Sequence, residues 1–135
     1  MIYVSMSSYD DVATKIKNEL RVYLYGYYFN PIVEYKNRHY KSLLRYDDQY
    51  RLRSVVAHPN RGYMFYVLTE VKSNTSRLVR INSDGSDRQY FLANRRVREI
   101  GLTIDFLEDR LCWFSEDGTK LESVKIDGSI DSLRR

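Results

Sequence analysis

A chain of 135 residues with 43% hydrophobic and 30% charged side chains has the composition of a globular domain, which excludes a disordered segment. The 22 basic and 18 acidic residues leave a net charge of +4, too small to make nucleic acid the expected partner. Cys112 is the single cysteine, so no disulfide framework is expected within the chain. No apolar run is long enough for a membrane span, and residues 1–6 do not have the pattern of a signal peptide.

The first 18 residues match none of the segments that follow them. Ile2 to Met6 has the composition of a strand. Asp10 to Leu20 is compatible with a short helix or with the end of a preceding structural unit. Residues 1–18 therefore stay unassigned, and residues 19–135 are expected to form the main domain.

Residues 19–50 predict a first unit built from short strands. Its apolar and aromatic runs are interrupted by polar residues, and Asn37-Arg38 supplies a turn. We expect strands at Leu20–Leu24, Tyr25–Phe29, Ile32–Lys36 and Tyr40–Arg45.

Residues 51–96 predict a second unit with two clear turns. Pro59-Asn60-Arg61-Gly62 and Ser83-Asp84-Gly85-Ser86 separate apolar runs, and Asp-Gly between such runs is a strong hairpin signal. The expected strands are Arg53–His58, Tyr63–Thr69, Arg77–Asn82 and Arg88–Ala93.

Residues 97–135 predict a third unit of the same kind, with its last turn at Asp127-Gly128. The expected strands are Ile100–Asp105, Arg110–Ser115, Lys120–Ile126 and Ile130–Leu133.

The second and third units repeat each other. Val55–Tyr66 is echoed by Leu102–Trp113, an offset of 47 residues from 55 to 102. Asp84-Gly85-Ser86 is echoed by Asp127-Gly128-Ser129, an offset of 43 residues from 84 to 127. Four short strands repeated at such a period are typical of β-propeller blades. We therefore expect an all-β fold of about three four-stranded antiparallel blades in an incomplete ring, with blades at about 19–50, 51–96 and 97–135.

The repeats resemble the low-density lipoprotein receptor class B repeat, or YWTD β-propeller repeat, over roughly residues 50–135. The third unit matches best, with Gly101-Leu102-Thr103-Ile104-Asp105, then Arg110–Ser115, then Asp127-Gly128-Ser129. The signature strand departs from the family, because Cys112 stands for Tyr, Phe114 for Thr and Ser115 for Asp. In the second unit Tyr66 stands for the Trp that Trp113 keeps, and no unit retains the full tetrad.

This resemblance implies a fragment of a six-bladed ring in an extracellular or cell-surface receptor. Such rings bind protein ligands without catalysis, beside epidermal-growth-factor-like modules, in endocytic receptors and signalling co-receptors. The remaining blades and these modules would be partners within the parent chain. Three blades alone are expected to be marginally stable and to associate, and a homodimer that completes one ring is the narrower alternative.

Several residues have expected structural roles. Trp113 and Tyr66 should be buried between neighbouring blades. Asp105 and His58, at matching strand ends, should bond to backbone in the adjacent turn. The turn residues with expected structural roles are Gly62, Asp84, Gly85, Asp127 and Gly128, with the glycines meeting the demand for positive φ.

Two surface features carry functional hypotheses. Arg95, Arg96 and Arg98 form the densest basic run, read either as a solvated loop or as a patch for an acidic ligand. Asn74-Thr75-Ser76 is an N-glycosylation sequon in the loop that is longer in the second unit, which agrees with an extracellular glycoprotein.

Catalysis is the alternative to a receptor. Some propellers carry hydrolase or lyase sites, to which Asp105 and His58 would contribute here, and a small sugar-binding module is a further possibility. The sequence has no phosphate-binding loop, no paired-cysteine zinc spacing and no Ser/His/Asp order. We therefore expect no catalytic residue, metal or cofactor.

Overall fold

A computed structural model describes residues 2–5, 12–16, 19–23, 40–58, 60–93 and 95–135. Three antiparallel sheets make up this part of the chain, and a short 3-10 helix at Ile130–Ser132 is the one helix among the described residues. The prediction of an all-β fold is confirmed.

The first sheet begins earlier in the chain than the sequence suggests. The backbone of Val12–Ile16 pairs with a strand on each side, so the Asp10–Leu20 segment holds a strand rather than a helix. The expected strands at Tyr25–Phe29 and Ile32–Lys36 lie outside the described residues. Each strand pairs with its neighbours in chain order, and the strands are β1 (Ile2–Ser5), β2 (Val12–Ile16), β3 (Glu19–Tyr23) and β4 (Tyr40–Arg45).

The second sheet follows the predicted pattern closely. A bulge between Arg53 and Val56, where Ser54 has φ of +56°, bends its innermost strand. The last strand is shorter than expected because Leu92 and Ala93 have positive φ, which is incompatible with an extended strand. The strands are β5 (Tyr50–His58), β6 (Tyr63–Glu70), β7 (Thr75–Asn82) and β8 (Gln89–Tyr90).

The third sheet has three strands, β9 (Thr103–Asp105), β10 (Arg110–Phe114) and β11 (Leu121–Lys125). The predicted fourth strand at Ile130–Leu133 is wrong, because a 3-10 helix occupies this segment. The Ser132 hydroxyl donates to the carbonyl of Ser129 (2.6 Å) and accepts from the backbone N–H of Lys125 (2.9 Å), and these bonds replace strand pairing. Pairing with β11 resumes only at Arg134, which exchanges two backbone bonds with Ser123.

The sheets stack face to face, and residues at equivalent positions of the repeat lie on the same face of their sheets. Tyr66 on β6 and Trp113 on β10 are equivalent positions, and both side chains are fully buried. Tyr66 lies in the core that includes Leu44 of the first sheet, whereas Trp113 lies in the core that includes Phe65 and Val67 of the second sheet. The large ring of the second sheet and that of the third therefore each pack toward the sheet before it.

The innermost strands of the sheets are neighbours in space. β1 contacts β5, and β5 contacts β9, while the later strands of each sheet lie progressively further out. A series of antiparallel sheets joined at their first strands and stacked through their faces is the arrangement of propeller blades.

Candidate functional site

A cluster of ion pairs joins β5 of the second sheet to the segment that leads into the third sheet. The Arg51 guanidinium donates to Glu99 (Nε to Oε1, 2.9 Å), and Arg53 lies 3.2 Å from the same oxygen. Ser54 at the bulge adds a bond from its hydroxyl to the Glu99 carbonyl (2.9 Å). The hydrogen bond from Arg51 lowers the pKa of the Glu99 carboxyl below its usual range.

A second cluster crosses the same junction through a buried histidine. His58 is only 3% exposed, and its Nε2 lies 2.8 Å from Asp109 Oδ1 on the turn before β10. Arg61 donates to the other oxygen of Asp109 (3.0 Å). The hydrogen bond with His58, followed by that from Arg61, lowers the pKa of Asp109. The Phe106 ring lies 5.2 Å from the imidazole, between centroids, and His58 therefore links two sheets.

Asp105 and His58, which were predicted to play the same role, have different partners in the structure. Asp105 Oδ1 accepts from the backbone N–H of Leu107 (2.9 Å), so it stabilises its own turn. His58 instead bonds to Asp109 in the next sheet, and its Nδ1 has no partner in the described structure. Asp105 and His58 occupy equivalent places in different sheets and do not form one site.

The basic run borders a cleft of about 570 Å³. Arg95 donates to the buried carboxylate of Glu122, which also accepts from Trp113 Nε1 (3.3 Å) and lies 3.6 Å from Arg135. Arg96 is exposed. The side chains around this cleft are those of Arg95, Arg96, Ser115, Glu116, Asp117, Lys120, Glu122 and Arg135.

Two of these acidic groups are already occupied. Glu122 is held by Arg95 and Trp113, and Asp117 stabilises the turn after β10. Asp117 accepts from the backbone N–H of Thr119 (3.0 Å) and from the hydroxyls of Thr119 and Ser115, and these bonds lower its pKa to about 2.

The third arginine of the run has a separate position. Arg98 lies outside the lining of the cleft, and its guanidinium covers Gly118, where a Cβ would clash with it. Gly118 has φ of +75°, a backbone conformation that favours glycine, whereas the flexible Arg98 side chain could move away from a Cβ at this position. The structure thus brings Arg95 and Arg96 to one cleft and places Arg98 over the neighbouring turn.

A second cleft, also about 570 Å³, lies next to Asp109. It carries charges of both signs, with Arg61 and Lys125 near Asp109 and Asp127. In the described part of the chain, no group of three His, Cys, Asp or Glu side chains is placed to hold a metal ion. Burial raises the pKa of the Cys112 thiol, so the thiolate is disfavoured.

The turn residues singled out from the sequence have turn geometry. Gly62, Gly85 and Gly128 have φ of +69°, +90° and +82°. Asp84 accepts from the backbone N–H of Ser86, and Asp127 does the same for Ser129, each at 2.9 Å.

Asn74 is exposed in the turn immediately before β7, with φ of +53°. Its Oδ1 accepts from Arg51 (3.2 Å), which leaves the amide nitrogen at the surface.

Sequence reasoning missed Glu99, Asp109 and Glu122. Each lies far along the chain from its partner, and His58 and Asp109 are 51 residues apart. A signal for Glu122 was available, because the repeat aligns it with the apolar Val79 in a strand position that faces the core. A charge at such a position requires a partner.

No family model matches the chain. One similar solved structure is a chain of the crystal structure of a nidogen/laminin complex, with a TM-score of 0.57 and 17% sequence identity. The match covers 85% of this chain and 39% of that chain, so this chain spans well under half the length of its structural neighbour. That neighbour is propeller-like. The chain has the propeller fold. At this level of identity the likeness shows the fold alone. No helix in the described part of the chain is long and apolar enough to cross a membrane.

Proposed function

We propose that this chain is part of an extracellular β-propeller that binds a protein ligand and catalyses no reaction. Its setting would be a receptor of the lipoprotein-receptor type, endocytic or signalling, with further blades and epidermal-growth-factor-like modules in the parent chain. The resemblance of residues 50–135 to class B repeats supports this, as does the fold shared with a chain of a nidogen/laminin complex, which is an assembly between proteins.

The observation that carries the proposal is the cleft beside Arg96. Glu122 and Asp117 are engaged within the protein, whereas no hydrogen bond or ion pair holds the Arg96 side chain in the described structure. Lys120 lines the same cleft and is exposed. The cleft is lined by four cations, Arg95, Arg96, Lys120 and Arg135, against the three carboxylates of Glu116, Asp117 and Glu122. This excess of positive charge favours a ligand that brings its own carboxylate.

Asn74 supports an extracellular setting. Its side chain is exposed in a hairpin turn, where a glycan would extend into solvent without disturbing either core. We therefore propose Asn74 as a glycosylation site.

No specific observation favours the enzymatic alternative or the sugar-binding one. A hydrolase or lyase would need convergent catalytic groups, yet Asp105 and His58 are separated and each is bonded elsewhere. The charged lining of both clefts is suited to recognising an ionic partner.

Biolayer interferometry with the immobilised chain tests the proposal. The probes are purified laminin and a synthetic peptide rich in Asp and Glu, compared with the same peptide carrying Asn and Gln. We expect the acidic peptide to bind, with affinity that falls as salt rises. Arg96→Gln should weaken binding about tenfold, as expected for one charge-assisted contact.

Lys72→Gln is the matched control, because Lys72 is an equally charged exposed residue in the β6–β7 turn. It should leave binding unchanged. Equal binding of the acidic and amide peptides, or equal losses in the two variants, would exclude Arg96 as the contact. Failure of both laminin and the acidic peptide to bind would refute the proposed ligand class.

A further inference from the structure

Glu122 occupies a strand position that the second sheet fills with an apolar side chain. By the 43-residue offset of the repeat, from 79 to 122, it corresponds to Val79, and only 4% of Glu122 is exposed. Replacing a buried ion pair by apolar side chains is often neutral or stabilising, so stability alone does not explain a carboxylate at this position. The contacts of Glu122 indicate a different role.

Two donors from different segments share the Glu122 carboxylate. Arg95 Nη2 donates to its Oε2, and Trp113 Nε1 donates to its Oε1 (3.3 Å). Nε of Arg135 lies 3.6 Å from Oε2. The indole therefore holds one oxygen of the buried carboxylate, while the other oxygen holds the Arg95 guanidinium at the wall of the cleft.

Arg95 has N–H donors that Glu122 does not use. A guanidinium carries five N–H groups in a planar fork, and the bond to Glu122 involves Nη2. In the described part of the chain no other hydrogen bond engages the Arg95 side chain, which is 24% exposed and lines the cleft. Arg95 is thus anchored to a carboxylate of its own chain and still has N–H groups available to a ligand.

The backbone that carries Arg95 is also held in place. Its N–H donates to the carbonyl of Leu92 (2.9 Å), and the N–H of Val97 donates to the carbonyl of Ser76 on β7 (3.0 Å). Because the side chain is anchored at its other end by Glu122, little conformational entropy remains to be lost when a ligand binds Arg95.

We propose, in an inference that rests on the proposed function, that Glu122 is a positioning residue of the cleft and that Arg95, held by it, makes the bidentate contact with a carboxylate of the ligand. Arginine suits this contact because its planar fork matches the two oxygens of a carboxylate. Arg96 adds a second charge-assisted contact from a side chain that has no partner in the described structure.

This role of Glu122 predicts an effect opposite in sign to that of its charge. A carboxylate beside the cleft repels an acidic ligand, so Glu122→Gln would strengthen binding if charge were its only effect. If Glu122 positions Arg95, the same substitution weakens binding, because the charge-assisted bond that orients the guanidinium is lost. We expect Glu122→Gln to raise the Kd of the peptide rich in Asp and Glu by about fivefold.

Glu116→Gln is the matched control. Glu116 lines the same cleft, is exposed, and holds no arginine in the described structure. The same chemical change at this position should leave the Kd unchanged or lower it. Biolayer interferometry with the acidic peptide compares both variants with the wild type, and urea unfolding followed by circular dichroism checks that each variant is folded under the binding conditions.

Arg95→Lys tests the fork while keeping the charge. Lysine leaves a cation near Glu122 but offers no bidentate contact, so we expect a folded variant that binds the peptide about tenfold more weakly. Trp113, the only tryptophan, shares the Glu122 carboxylate with Arg95, so its emission should change as the peptide binds the wild type. An emission spectrum that the bound peptide leaves unchanged would contradict a contact at Arg95.

Two negative results would have different meanings. A wild type that does not bind the acidic peptide would refute the proposed ligand class, and the role of Glu122 with it. A wild type that binds, beside a folded Glu122→Gln that binds equally well or more tightly, would overturn the positioning role alone. If Glu122→Gln does not fold, Arg95→Lys decides, and an affinity equal to that of the wild type would overturn the inference.

Discussion

Replacing Trp113 tests whether the junction between the second and third sheets holds the fold together. The indole is 0% exposed and lies among Phe65, Val67 and Leu78. Burial of a large ring removes about 150–250 Å² from water, which at about 25 cal/mol per Å² amounts to about 4–6 kcal/mol as an upper value. Trp113→Ala should therefore lower the free energy of unfolding by about 4 kcal/mol.

Urea unfolding followed by circular dichroism measures this change. Trp113→Phe keeps most of the ring and loses the hydrogen bond to Glu122 (3.3 Å), so we expect a smaller loss of about 1–2 kcal/mol. Leu107→Ala, at a side chain that is 98% exposed, should change the free energy by less than about 0.5 kcal/mol. Trp113 is the only tryptophan, and native emission should be blue-shifted. Equal unfolding midpoints for Trp113→Ala and Leu107→Ala would show that the junction contributes nothing to stability.

Three further predictions concern charge and modification. Glu122→Val leaves the partly buried Arg95 cation without its carboxylate and should lower the free energy of unfolding in urea by about 2–4 kcal/mol. Combining it with Arg95→Met should recover most of this loss, and additive losses in the double variant would contradict a coupled pair. Asp117 has a folded-state pKa of about 2, below its unfolded value, so its contribution to stability is present above about pH 4 and is lost as pH falls toward 2. Asp117→Asn should flatten that part of a stability profile measured between about pH 5 and pH 2, and an unchanged slope would exclude the turn as the source. Expression in a secreting eukaryotic host should give a glycan mass on the wild type that Asn74→Gln lacks, and a secreted wild type without that extra mass would exclude Asn74 as a glycosylation site.

The sequence predicted the second sheet well because its signals are local. Turn chemistry at Gly62 and Gly85 and long apolar runs determine β6 and β7 almost to the residue. The strand at Val12–Ile16 was ambiguous, since a short apolar run of mixed period fits a helix or a strand. The Ile130–Leu133 strand was wrong because the hydroxyl of Ser132 competes for backbone partners, which no hydrophobic pattern reveals.

Only the basic residues of the candidate site could be predicted from the sequence, and their partners could not. The Arg95-Arg96 dipeptide was visible as charge in the sequence, but its cleft depends on Glu122 and Trp113 from the next sheet. The bond between His58 and Asp109 depends equally on how two sheets stack. A repeat indicates which residues are equivalent, yet it does not indicate which residue of one unit meets which residue of the next.

The burial of β6, an inner strand of the second sheet, has a consequence for the dynamics of the chain. Every residue of β6 from Met64 to Thr69 is buried, with Met64, Tyr66 and Leu68 in one core and Phe65 and Val67 in the other. Its backbone also pairs on both sides, with β5 and β7. The amide hydrogens of β6 are therefore exposed to solvent only when both cores open, and among the residues that the structure describes they should be the last to exchange with deuterium. Opening of either outer sheet alone would leave β6 protected on one face, so its exchange rate reports the global unfolding of the whole series.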